Sequence, residues 1–309
     1  MNGKLTECRK LISLVGRNTK CYFKDKFMFF ISMITPLILL ILFATFLRNV
    51  YIDSFKSAFP ENFTVDDRIL EGITGAWLMS SILSVSSVTV AFCSNIVMIN
   101  DKIEGNLNDF RVSPVKGTTV SLSYFISNFF VTFLVMMCLM LIGHIYLACV
   151  GWYISVGDAF MIIVDVLCGV LFGTLLAGVV ESFVSNQGGL SAVSTLVSSM
   201  YGFICGAYMP LSTFAAGLRN VLGCLPGTYG VGILRNHYMN GYLDALSDAG
   251  IPAEAIDGIK SSFDAKLEVF GTEIPLGAMY GILLGACAVL LVAYVLIVIL
   301  KNKKIGSKK

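Results

Sequence analysis

Ionisable and nucleophilic side chains are sparse in this sequence, so the places where they gather decide what chemistry is open to it. One stretch, Asn100–Gly117, reads NDKIEGNLNDFRVSPVKG and carries Asp101, Lys102, Glu104, Asp109, Arg111 and Lys116. Mixed signs over so short a distance suit ionic pairing with a soluble partner, although a solvated connector has the same look. Asp165 stands alone inside the apolar stretch 159–180. The two histidines, His144 and His237, lie far apart in the chain, and a lone histidine in an apolar helix is more often a buried hydrogen-bond partner than a ligand. Nine cysteines (Cys8, Cys21, Cys93, Cys138, Cys149, Cys168, Cys205, Cys224 and Cys287) form no CxxC pair. That odd, scattered count fits neither a disulfide framework nor a zinc site, and it leaves open one bridge, Cys149 with Cys224. No GxxxxGK[ST], HExxH, GxSxG or kinase-type signature occurs. The expectation is a chain with no catalytic residues, no metal site and no nucleotide cradle of its own.

The elements that must position these groups follow from composition. Of 309 residues 56% are hydrophobic and 14% charged, and the mean hydropathy is +0.80. A soluble domain carries about 25% charged residues. So few charges cannot cover the surface of a soluble protein of this size, and a net charge of +2 excludes nucleic-acid binding by bulk electrostatics. A spanning helix needs about 20 apolar residues. Six stretches qualify, at 27–47, 72–99, 118–148, 159–180, 188–212 and 275–300. The first is too long for a signal-peptide core and has no small-x-small cleavage site after it, so it reads as a span. The predicted fold is an all-α integral membrane protein forming a single transmembrane domain.

Lys and Arg flanking the spans set the orientation. Fifteen fall in residues 1–26, the loop 100–117 and the tail after 300, against seven on the opposite side. Both termini and the loop are therefore expected in the cytosol. Residues 1–26 place Cys8, Leu11, Ile12, Val15, Thr19, Tyr22 and Phe23 near one helical face with basic residues around the rest, which predicts an amphipathic helix at an anionic leaflet. Asn62-Phe63-Thr64 is a chance sequon on this reading. In 213–274 the uncharged stretch 220–234, with Pro226-Gly227 at its middle, is too short to span. It predicts a re-entrant hairpin followed by a small polar cap.

The loop 100–117 resembles that of the ABC-2 type permeases, the membrane subunits of ABC exporters. In those proteins an acidic-basic-acidic cluster precedes a Gly-Thr-Leu turn and a helix ending in Ser-Pro-Val. Here Asp101 and Lys102, then Gly105 and Leu107, then Ser113, Pro114 and Val115 match, while Ile103 replaces an acid and Asn106 replaces Thr. A second segment is similar to the same family: Gly206-Ala207-Tyr208-Met209-Pro210, Leu225-Pro226-Gly227-Thr228-Tyr229 and Leu234-Arg235. The resemblance implies that the loop is a coupling helix, with Asp101, Lys102, Glu104, Gly105, Leu107, Arg111 and Pro114 contacting a separate ATPase subunit that holds ATP and Mg. It also implies a second permease subunit, the same or a sister chain, in a cell membrane, and export of a substrate from the cytosol.

Small residues recur at helical spacing on two predicted spans. Ser80, Ser84, Ser87, Ala91 and Ser94 share one face of the second, and Ser191, Thr195, Ser198, Gly202 and Cys205 share one face of the fifth. Such stripes pack helices closely or line a wet cavity. The resemblance implies that these two spans flank the translocation path, and neighbouring Trp77, Tyr201 and Phe203 would then meet an amphipathic substrate. On the fourth span, Asp165, Gly169 and Gly173 recur every four residues. Gly169 and Gly173 form a GxxxG suited to close helix approach, and Asp165 reads as a hydrogen-bond anchor or a substrate or proton site. Two rivals stand beside the exporter. An ion-coupled secondary transporter would normally show more intramembrane charge and inverted repeats. A non-transporting membrane scaffold would show no nucleotide-dependent change.

Overall fold

The computed structural model describes residues 2–58, 66–113 and 115–306. Pro114, the Arg111 side chain and the Asn62-Phe63-Thr64 sequon fall outside the described residues. Helix α1 (Asn2–Lys24) leads into α2 (Lys26–Leu42), a π-turn at Phe43–Leu47 and α3 (Arg48–Ala58). Then come α4 (Asp67–Ser94), α5 (Ile96–Ile103), α6 (Asn106–Val112), α7 (Gly117–Val150), α8 (Val156–Glu181) and α9 (Gln187–Ile204). A turn of 3-10 helix at Leu211–Thr213 precedes α10 (Ala216–Gly223), α11 (Pro226–Asp248) and α12 (Ala253–Ser262). Strands β1 (Leu267–Val269) and β2 (Thr272–Ile274) form an antiparallel hairpin, and α13 (Leu276–Gly306) closes the described chain.

The described residues are all-α apart from that hairpin, whose turn residues Phe270 and Gly271 both have positive φ, as a type I′ turn requires. Among the described residues, five helical stretches are long and apolar enough to cross a membrane: Phe29–Phe46, Asp67–Ile103, Gly117–Val150, Val156–Glu181 and Leu276–Lys301. The expected fifth span, α9, is 18 residues long and is not among them. Its Gln187, paired glycines and five Ser and Thr residues dilute its hydropathy.

Helix α4 is the axis of the bundle. Asp66 caps its start by accepting from the Arg68 amide at 3.0 Å, and nearly all of its side chains are buried. A helix apolar all round must be covered on every side, and α2, α7, α8 and α11 do so. Close approach of α8 relies on glycine: a methyl at Gly173 would meet the Ser87 carbonyl and lie 2.9 Å from Val88 Cα, and one at Gly169 would lie 3.1 Å from Ser87 Oγ. Asn128 of α7 donates to the Ala91 carbonyl at 3.1 Å, and Tyr294 of α13 to the Ser121 carbonyl at 3.1 Å.

Pro226 opens α11 at a position where its missing N–H costs nothing. The preceding α10 ends one turn earlier, so the two make a helix–turn–helix. Its turn lies against the middle of the long helices: Gly227 and Gly230 share a cavity of about 10 Å³ with Ser84, Ser87, Gly169 and Tyr201. From there α11 runs antiparallel to α4 and α8, with Arg235 meeting Ser81 and Tyr242 donating to the Gly151 carbonyl at 2.7 Å.

Arg235 is almost wholly buried and pins four segments together. It donates to Asp264 at 3.0 Å, to Ser81 at 3.2 Å and to the Gly206 carbonyl at 2.7 Å, and lies 4.9 Å from the Trp77 ring centroid. Trp77 donates to the Phe263 carbonyl at 3.1 Å, and Phe263 stacks on Phe55 of α3 at 3.6 Å. The polar segment after α11 is thus part of the core rather than a loose appendage. Cys149 and Cys224 are exposed free thiols, and all nine cysteines are free.

Candidate functional site

Two charges of the 100–117 loop, Asp101 and Lys102, are held by groups brought from other parts of the chain. α5 and α6 form a tight corner at Gly105, whose φ of 83° lies in the left-handed region that favours glycine. Asp101, on the last turn of α5, is buried. It takes a two-pronged contact from Arg17 of α1, one prong at 2.9 Å, and accepts from the Tyr124 hydroxyl of α7 at 2.5 Å. Asn106 donates to Asp101 and to Glu104, each at 3.0 Å, and so locks the corner from inside. Arg17 also lies 5.5 Å from the centroid of the Phe110 ring on α6. Paired forks of this kind fix orientation as well as energy. Hydrogen bonding to Asp101 holds the Arg17 guanidinium above its ordinary range, so the fork is charged at every physiological pH.

Lys102 donates to the Val184 carbonyl beyond α8, and Lys301 of α13 donates to the Ser182 carbonyl. Cations at a helix C-terminus meet its partial negative charge. These contacts put α1, the α5–α6 corner, the end of α8 and the end of α13 at one end of the molecule. There α1 turns Asn18 and Thr19 onto α7, with Asn18 donating to Ser123 at 3.3 Å and Thr19 3.0 Å from Ser127, while Ile12 stays exposed.

Of the loop residues singled out above, Asp101 and Lys102 are therefore engaged within the chain. Glu104 and Asp109 are exposed, as are Ile103 and Val112, and Leu107 is half-buried. Sequence reasoning passed over Arg17, Tyr124 and Phe110. Arg17 was one of seven basic residues in a segment read for its charge and its amphipathic face, and nothing in its spacing marks it out. Asn106, a departure from the family's Thr, proves to be a structural bracket for two acids.

Along α4, Ser80, Ser84, Ser87 and Ser94 are all buried. Ser80 donates to the Trp77 carbonyl at 2.6 Å and Ser87 to the Ser84 carbonyl at 2.7 Å. On α9, Ser191 and Thr195 are exposed, Ser198 is half-buried and Gly202 is buried against the Tyr208 ring. Ser191 and Thr195 therefore do not meet the buried serines of α4 within one chain. Asp165 is buried and joins three helices: it accepts from Tyr280 of α13 and pairs with His237 Nδ1 of α11 at 2.6 Å. His144 bonds the Met140 carbonyl through Nδ1 at 2.7 Å. Near the lower end of α8, fully buried Glu181 accepts from Asn95 at 2.6 Å, at the joint between α4 and α5. No group of three or more His, Cys, Asp or Glu suited to a metal ion occurs among the described residues.

No curated protein matches this sequence. The family model for ABC-2 type transporters matches residues 9–239, from within α1 into the second half of α11, and so includes the whole corner and the helices that clamp it. With most of its length matched and its long apolar helices packed around α4, this chain belongs to the ABC-2 type transporter family and is a multi-pass membrane permease of the ABC type.

Proposed function

We propose that the chain is the permease subunit of an ATP-driven exporter and that the α5–α6 corner receives the push of a separate ATPase subunit, which binds the ATP and Mg. The observation that carries this reading is the clamp on Asp101. The corner is tied to α1 by Arg17, to α7 by Tyr124 and to the end of α8 by Lys102, while Ile103, Glu104, Asp109 and Val112 stay exposed. A force on those exposed side chains passes into three helices at once instead of bending a loop. On this reading Gly105 shapes the corner and Leu107 seats it.

The end bearing the corner is the cytosolic one, with both termini there and α1 at the leaflet surface. α9 is the fifth of six spans, and α10–α11 is the re-entrant hairpin, its Pro226 turn reaching the level of Ser84 from the outer side. Two permease subunits assemble in the cell membrane through α9, whose Leu196, Met200 and Phe203 are exposed beside Ser191 and Thr195. Translocation then follows α4 and α9 of both subunits, with Ser80, Ser84, Ser87, Ser94, Ser191, Thr195, Ser198 and Gly202 along the route of a modest amphipathic molecule. Ion coupling through Asp165 is disfavoured because that carboxylate already serves Tyr280 and His237.

Purification of the tagged chain from its native membrane in mild detergent, followed by mass spectrometry, tests the reading. An ATPase with a P-loop is expected to co-purify, and Glu104→Lys with Asp109→Lys together are expected to reduce it at least tenfold. Recovery of the chain alone, or with partners that lack a P-loop, overturns the reading.

A further inference from the structure

At the opposite end from the corner, Leu211–Ser212, α10, the Ser261–Asp264 turn and β1 line an open-mouthed cavity of about 190 Å³. Most polar groups on its wall are already engaged. Asp264 accepts from the Leu211 amide at 2.5 Å, the Ser212 amide at 3.3 Å and Arg235 at 3.0 Å. Lys266 pairs with Glu273 at 3.0 Å, and Ser212 donates to the Ser262 carbonyl at 2.8 Å. Arg219 is different. Its Nε is buried with no hydrogen-bond partner, and the side chain makes no ion pair among the described residues. A guanidinium stays charged and has a planar fork of donors, so one left unpaired against a polar cavity is arranged for an acceptor from outside the chain.

We propose that this cavity binds a small monocarboxylate through Arg219. Charge selects the class. Asp264 is matched by Arg235 and Lys266 by Glu273, which leaves Arg219 as the wall cation without an ion-pair partner among the described residues. Glu268, exposed at the rim, adds a negative charge that penalises a doubly charged phosphate more than a singly charged carboxylate. The volume lies below the roughly 300–1,000 Å³ of sites for drug-sized ligands, which limits the occupant to a carboxylate with a short stem. The site invokes no ATPase and stands apart from the export reading.

The test uses the purified full chain in lipid nanodiscs and saturation-transfer NMR with N-acetylglycine. Saturable transfer in the millimolar range is expected. The uncharged N-acetylglycinamide is expected to give none, and equimolar inorganic phosphate to displace less than half of the bound carboxylate. Arg219→Gln is expected to weaken binding at least tenfold with the thermal midpoint of tryptophan fluorescence retained. Ser262→Phe, at an exposed wall position, should block the cavity and serves in its place if the first variant does not fold. Equal binding of the amide, full displacement by phosphate, or undiminished binding in a folded variant overturns the proposal.

Discussion

Asp101 shows how a charge read from sequence as a docking group can be consumed inside the molecule. Both its oxygens are occupied by Arg17, Tyr124 and Asn106, so Asp101→Asn acts through the clamp and not through lost contact with a partner. Arg17 is partly exposed, which keeps the pair's worth to about 1 kcal/mol. The expected outcome for Arg17→Lys is a small drop in the melting temperature together with ATPase stimulation by the complex reduced severalfold, since an ammonium cannot reproduce the fork. At Asp165 the substitutions separate anchoring from transport chemistry. Asp165→Asn keeps an acceptor and is expected to retain transport, whereas Asp165→Leu strands Tyr280 and His237 and is expected to destabilise by about 1–3 kcal/mol, read by thermal melting. Neither partner was visible beforehand: His237 and Tyr280 lie 72 and 115 residues away in the chain.

At the scale of elements, two glycines make the clearest wager. Gly105 turns the corner at a φ of 83°, where a side chain costs about 1–2 kcal/mol. Gly105→Val is expected to leave the purified permease folded but to uncouple ATP hydrolysis from transport, measured in proteoliposomes carrying both subunits. Gly173 lets α8 touch the α4 backbone, so Gly173→Leu forces the helices apart at about 1–3 kcal/mol or more, and is expected to lower the melting temperature more than the same change at Gly277, which has open space around it. The corner's turn and the small-residue spacing on α8 were legible because both are local patterns. The length of α11 was not. An uncharged stretch ending at Arg235 suggested a short hairpin, yet the helix runs on to Asp248 because Arg235 turns inward to Asp264 instead of marking a water-facing boundary.

For the whole molecule, the open question is what covers α9. The exposed Leu196, Met200 and Phe203 on a helix with Ser191 and Thr195 predict a partner helix there. A photo-crosslinker at Leu196 is expected to trap a covalent dimer in native membranes, and one at Leu141 on the exposed face of α7 is not. A crosslink from Leu141 alone would place the subunit contact elsewhere. The closed packing of α4 within one chain means that any path along its serines opens by helix movement, and the exposed corner at one end is the part best placed to drive it.

Composition and charge alone already determined the class of this protein, because scarce charge and long apolar runs have one physical solution: helices in a bilayer, each satisfying its own backbone. Periodicity and turn residues likewise marked the corner at Gly105 and the close-packing face of α8. Tertiary structure decided which charges are free and which are engaged. Arg17 with Asp101, Arg235 with Asp264 and Glu181 with Asn95 are outcomes of contacts between segments distant in sequence, as is the burial of the Arg219 Nε without a partner among the described residues. A side chain's charge is written in its own letter, but whether that charge meets water, a partner or a cavity depends on what the rest of the chain packs beside it.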